Sequence, residues 1–288
     1  MKDCRMIWKC ARISLVRLVS SGKWFFLCLV QLVFCWFTFV PITRLGLVYH
    51  QAIPPVSFVF YLSFYRMLVL HAGTCVILFS DIPETDPFYH SVALRSGQRN
   101  YILGQTSYIL MASLLYTLVP IVFSILLTLP VIRWQNTWGS LIISLSDQPI
   151  ELTQKTGLYL PVITGTDYLK MFTPAQAAGH SFCFMWASTA FIGAVSGGVR
   201  MLVSRMSGIV TAGIFVAMSV FSLLLGGITI GKWLAFISPM SWSNPENLDW
   251  YHGGRMPSPE YGMSFLIIGI IVMSTIMVIC FCRKDGEE

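Results

Sequence analysis

The side chains able to do chemistry in this chain are few, and their spacing is poor. His50, His71, His90, His180 and His252 are scattered, and none belongs to an H-E-x-x-H pair. Asp147, Glu151 and Asp167 stand in polar stretches with no base or nucleophile placed beside them. Gly226 to Trp233, "GGITIGKW", fits G-x-x-x-x-G-K as a bare pattern. Trp233 stands where the magnesium-holding hydroxyl belongs, and an apolar helix rather than a strand precedes the string. Eight cysteines, Cys4, Cys10, Cys28, Cys35, Cys75, Cys183, Cys280 and Cys282, show no C-x-x-C spacing. The expectation is therefore a chain with no catalytic residue, no metal set and no cofactor, and not an enzyme. Arg66 is the one ionisable group near the middle of a long apolar run. A charge there costs at least about 2.5 kcal/mol on insertion scales, so it is a candidate for lining a translocation path. The alternative is that it snorkels outward.

The elements that position these groups must be membrane helices. Of the 288 residues 55% are hydrophobic and 11% charged, against roughly a quarter charged in soluble domains. One soluble core could not hide that much apolar surface. The net charge of +6 then describes loop topology and argues no nucleic-acid partner. Apolar runs predict six spans, at about 24–41, 56–79, 105–129, 180–199, 208–230 and 261–282. Gln31 is the one strongly polar side chain of the first. Residues 1–22 carry scattered cations, with Arg5, Lys9 and Arg12 on one helical face. Ile7, Ala11, Leu15 and Leu18, with Trp8 and Val19, form another. That pattern predicts an interfacial amphipathic helix, not a signal peptide.

Lysine and arginine set the orientation. With the N-terminus inside, the inner side carries Lys2, Arg5, Lys9, Arg12, Arg17, Lys23, Arg95, Arg99, Arg200, Arg205, Arg283 and Lys284. The outer side carries Arg44, Arg133, Lys155, Lys170, Lys232 and Arg255. The expected fold is an all-α polytopic membrane protein, one domain over 1–288, with six transmembrane helices and both ends inside (N-in/C-in). Residues 131–179 and 231–260 are outer segments; Trp134 and Trp138 would anchor the first at the interface. Gly193 and Gly197 make a G-x-x-x-G suited to close helix packing, within the chain or between two chains.

Between the second and third spans lies "DIPETDPFYHSVALRSGQRNYILGQ", Asp81 to Gln105. Pro83 and Pro87 end the second span, and Phe88 to Tyr101 can be helical, with Arg95, Gln98 and Arg99 wet. This loop, "WGSLIISL", "FTPAQAAGHSF" and "ISPMSWSN" resemble the corresponding stretches of the exporter-type (type 2) ABC transporter permeases of bacteria. The resemblance implies that 81–104 is a cytoplasmic coupling loop, whose residues from about Phe88 to Arg99 form a coupling helix that docks in a groove of a separate ATPase. Asp81, Glu84, Asp86, Phe88, Arg95 and Arg99 would then be its contacts. It further implies a plasma-membrane (bacterial cell membrane) permease subunit working with two copies of an ABC ATPase and a second permease chain, identical or not. The long outer segments depart from the family's bulk and leave the substrate class open among peptide, lipid and drug-like molecules. The alternative reading is a non-transporting immunity, sensor or assembly subunit of the membrane.

Overall fold

A computed structural model describes residues 2–63, 65–83, 87–148, 154, 166–226, 228–251, 253–254 and 256–284. The described residues form helices joined by turns, with one isolated β-bridge between Ile53 and Ile132. Among the described residues, five helices are long and apolar enough to cross a membrane: α2 (Gly22–Val48), α5 (Gln98–Thr128), α8 (Pro174–Leu202), α9 (Arg205–Leu224) and α11 (Pro259–Lys284). Shorter ones fill the order: α1 (Lys2–Val19), α3 (Tyr65–Leu78), α4 (Pro87–Ser96), α6 (Ser140–Asp147), α7 (Thr166–Met171) and α10 (Thr229–Ala235).

Local chemistry sets several boundaries. Ser21 caps α2 by accepting from the Trp24 N–H. Thr173 and Gln176 form a capping box at the start of α8, with Pro174 at its first helical position. Ser204 and Ser207 do the same for α9, so α8 and α9 are joined by a turn of only two residues. Gly97, at φ 80°, separates α4 from α5.

α8 is the centre of the bundle. In its most apolar stretch 72% of residues are buried, against 11% for α11 on the periphery. Small residues let the neighbours approach it. A Cβ at Gly193 would lie 2.8 Å from Ile109 of α5, and one at Gly197 would lie 2.9 Å from Met277 of α11. The G-x-x-x-G thus serves packing inside this chain.

The expected second span over 56–79 is not one continuous helix. Residues Ser57–Phe60 form a 3-10 turn, and α3 begins only at Tyr65. At 1.5 Å per residue its 14 residues cover about 21 Å, short of the roughly 30 Å hydrocarbon layer. The apolar residues Phe58, Val59, Phe60, Tyr61 and Leu62 are buried. Phe60 packs on Trp138, with ring centroids 5.4 Å apart.

The segments over 131–179 and 231–260 are packed rather than loose where described. Trp138 is buried and donates from Nε1 to the Phe172 carbonyl at 2.7 Å, so it joins segments 34 residues apart instead of anchoring in lipid. Trp134 is exposed. In "ISPMSWSN", Ser238, Met240, Ser241, Trp242, Ser243 and Asn244 are buried. Trp242 donates to the Ala235 carbonyl at 2.9 Å, and Ser188 of α8 donates to the Pro239 carbonyl at 2.7 Å. The hydroxyls of Ser238 and Ser241 are satisfied by the Ala235 and Ser238 carbonyls, which lets them be buried, whereas Ser243 Oγ is buried with no partner among the described residues.

Candidate functional site

At one end of the bundle, α1 and α4 lie beside α5. α1 sets Cys10, Ala11, Ser14 and Leu18 against the bundle. The approach is close: a Cβ at Gly104 would come 2.6 Å from Cys10 Cβ. Gln105 Nε2 donates to Ser14 Oγ at 3.1 Å. The face containing Ala11 and Leu18 therefore meets protein, while Trp8 and Val19 remain exposed. The amphipathic pattern is present, but the expected apolar face is divided between two surroundings.

α4 is shorter than the expected helix to Tyr101. Gly97 breaks it, so Arg95 belongs to α4 whereas Arg99 and Tyr101 belong to the first turn of α5. Buried Tyr89 and Tyr101 have ring centroids 6.3 Å apart, and Tyr101 lies 5.7 Å from Phe281 of α11. These rings fix α4 to both spans. Phe88, Leu94, Arg95 and Arg99 face outward. Asp81 departs from a simple docking role: it pairs with Lys23 Nζ at 2.9 Å and ties the end of α3 to the start of α2. Both partners are partly exposed, so the pair is worth at most about 1 kcal/mol. Glu84 and Asp86 lie outside the described residues.

Arg66 stands in the first turn of α3 and is exposed. The break in the second apolar run moves it from mid-helix to a helix start.

The side chains brought together most tightly are ones the sequence presents singly. Gln31 of α2, Tyr61, His71 and Thr74 of α3, and Tyr116 of α5 form one buried polar cluster. Gln31 Nε2 lies 3.0 Å from His71 Nδ1 and donates to Thr74 Oγ1 at 3.4 Å and to the Tyr116 hydroxyl. Its Oε1 accepts from the Tyr61 hydroxyl. Tyr116 also donates to the His71 carbonyl at 3.1 Å, and its ring stacks on the imidazole at 4.8 Å. His71 Nε2 is buried with no hydrogen-bond partner among the described residues. Away from water such groups bind one another strongly, and the cluster joins three helices through one amide.

At the opposite end, Tyr168, Phe172, His180 and Trp250 pack as an aromatic group, with His180 and Trp250 centroids 4.6 Å apart. Beside it opens a cavity of about 570 Å³, lined in part by Asp167, Tyr168, Glu246 and Trp250. Burial, and secondarily the charge of Glu246, push the Tyr168 phenol above its ordinary range. A raised folded value means this contribution to stability is whole below the unfolded value, about pH 10, and fades as pH rises through the folded one. Tyr168→Phe is therefore expected to move the onset of alkaline unfolding upward, as read by thermal melts at increasing pH. An unchanged onset would mean that Tyr168 does not limit alkaline stability.

The phosphate-loop-like string packs chain against chain. Gly231 sits so close to the Leu225 carbonyl that a Cβ would overlap it, which fixes α10 on the end of α9. All eight cysteines are free, and no group of three metal-ligating side chains occurs among the described residues. No family model matches this chain, and neither the curated proteins nor the solved structures compared with it include a match.

Proposed function

We propose that this chain is the membrane-spanning subunit of an ABC exporter, with α4 as the element that receives force from a separate ATPase. The observation that carries this reading is the placing of α4. It is a short helix at one end of a membrane bundle, held by aromatic contacts to α5 and α11, with Phe88, Leu94, Arg95 and Arg99 turned outward. A rigid mount with an exposed, mixed apolar and basic surface is what docking to a soluble motor requires. In this reading α3 and the turn before it complete a sixth crossing, the basic α1–α4 end faces the cytosol, and two such chains line the path. Differential contact of α4 with the nucleotide-bound and nucleotide-free motor would shift the bundle between inward-open and outward-open states. The membrane is then the bacterial plasma membrane, and the cargo is a peptide, lipid or drug-like molecule.

The test is purification of the full chain from its native membrane. An ATPase of the ABC class is expected to co-purify, and Arg95→Glu/Arg99→Glu is expected to cut its recovery at least tenfold with an unchanged melting temperature. Both side chains are exposed, so the double charge reversal should spare the fold. Purification without an ATPase, or full recovery with the double variant, overturns the proposal.

A further inference from the structure

A second basic surface lies beside α4, and its composition differs from that of a protein-docking face. Lys9, Arg12, Ile13, Val16 and Arg17 follow one another at helical spacing along one stripe of α1. With Phe88 of α4 they line a cavity of about 490 Å³. Cations stand at both ends of the stripe and two exposed apolar residues, Ile13 and Val16, in its middle. The Arg17 guanidinium lies 5.7 Å from the Phe88 ring centre and 5.0 Å from that of Tyr89, so α1 and α4 meet at this lining residue. Lys9 and Arg12 are exposed and make no ion pair among the described residues.

We infer that this cavity between α1 and α4 binds the headgroup of an anionic phospholipid, its phosphate among Lys9, Arg12 and Arg17 and the first carbons of its chains on Ile13, Val16 and Phe88. Three observations favour an amphiphile over an acidic protein segment. Carboxylates would satisfy the two ends of the stripe and leave its apolar middle against polar backbone. Arg17 is five residues before Gly22, where the first long apolar helix begins, so the cavity sits at headgroup depth. Trp8 and Val19, on an adjoining side of α1, are exposed apolar groups suited to the same interface. Guanidinium and ammonium groups at an interface also attract anionic lipid. The inference shares only Phe88 with the proposed docking surface and uses neither Arg95 nor Arg99, so its test is separate from that of the exporter reading.

The test uses the full chain in a zwitterionic detergent, titrated with phosphatidylglycerol, with phosphatidylcholine of the same chains, and with inorganic phosphate. Binding is read by native mass spectrometry and by the shift in melting temperature. Phosphatidylglycerol is expected to bind saturably with one tight site per chain and to raise the melting temperature, and the other two are expected to bind at least tenfold more weakly. Lys9→Gln/Arg12→Gln should lose at least tenfold in phosphatidylglycerol affinity while melting as the parent does without lipid. Lys9→Arg/Arg12→Lys should keep the affinity. Ile13→Ser/Val16→Ser should weaken phosphatidylglycerol and leave the weak phosphate binding as it was. Equal binding of phosphatidylcholine overturns the inference, as does inorganic phosphate binding as tightly as the lipid. Unchanged affinity in the glutamine double variant does so too.

Discussion

Replacing Gln31 with leucine is expected to lower the stability of the folded chain by about 3 kcal/mol, because two or more buried groups then lose their partner at about 1–3 kcal/mol each. The amide oxygen accepts from Tyr61, and its two N–H protons are shared among His71, Thr74 and Tyr116. A single interhelical hydrogen bond in a membrane averages only about 0.6 kcal/mol, so the size of the effect depends on one side chain serving several partners. Leucine is similar in volume, which keeps cavity formation small beside the loss of polar satisfaction. The comparison variant is His71→Phe. It removes one acceptor from the Gln31 amide, but it also removes a buried Nε2 that has no partner among the described residues. Its cost should stay below about 1 kcal/mol. Unfolding of both variants by denaturant or heat in the same detergent decides the matter. Equal losses would mean that the cluster is held by ring packing and not through the amide.

Gly208→Ala should destabilise by about 1–3 kcal/mol, the usual cost of overpacking a close contact. A Cβ at that position would overlap the carbonyl oxygen of Ser196 and lie 3.1 Å from Arg200 Cβ. The obstacle is largely backbone, so no rotamer change relieves it, and α8 and α9 must move apart. The two-residue turn between them, closed by the Ser204–Ser207 capping box, leaves little slack for that. Gly213, further along the same helix, has nothing within 4 Å of its would-be Cβ. Gly213→Ala should therefore be neutral or slightly stabilising, since alanine is the better helix former. Thermal melts of the two variants side by side provide the measurement. Indistinguishable melts would show that the α8–α9 crossing is not set by this contact.

The long apolar helices were legible because a bilayer crossing demands a run of about 20 apolar residues, and hydropathy reads that run directly. Hydropathy failed between Val56 and Phe79, where apolar content is continuous but the helix is not. Phe58 to Leu62 are apolar because they are buried in protein, and composition does not tell that from burial in lipid. The same ambiguity moved Arg66 from mid-span to a helix start. Ser238 and Ser241 of "ISPMSWSN" misled in the opposite sense, since the carbonyls that satisfy them when buried are not visible in sequence. Gln31 stood out as the one strongly polar side chain of its apolar run, whereas His71 was only one of five scattered histidines. Their meeting, across 40 residues, depends on the relative rotation and depth of α2 and α3. The signal that could have joined them is a set of lone polar side chains at similar depth in successive spans. The helix break at Gly97 was within reach too, since a glycine flanked by Ser96 and Gln98 is a common stop.

Gly97 has a mechanical consequence. Behind it α5 runs unbroken for 31 residues, a rod of about 47 Å at 1.5 Å per residue. Its near end is coupled to α4 and α11 through Tyr89, Tyr101 and Phe281, and just past its far end Val131 and Arg133 hydrogen-bond to Ile53. A rod of that length tilted by about 5° at one end sweeps the other by about 4 Å, enough to break a hydrogen bond of ordinary length. The bridge at Ile53 is therefore the place where the stroke of such a lever would first be felt, and Pro120 within α5 is a point along it where the stroke could be lost to bending.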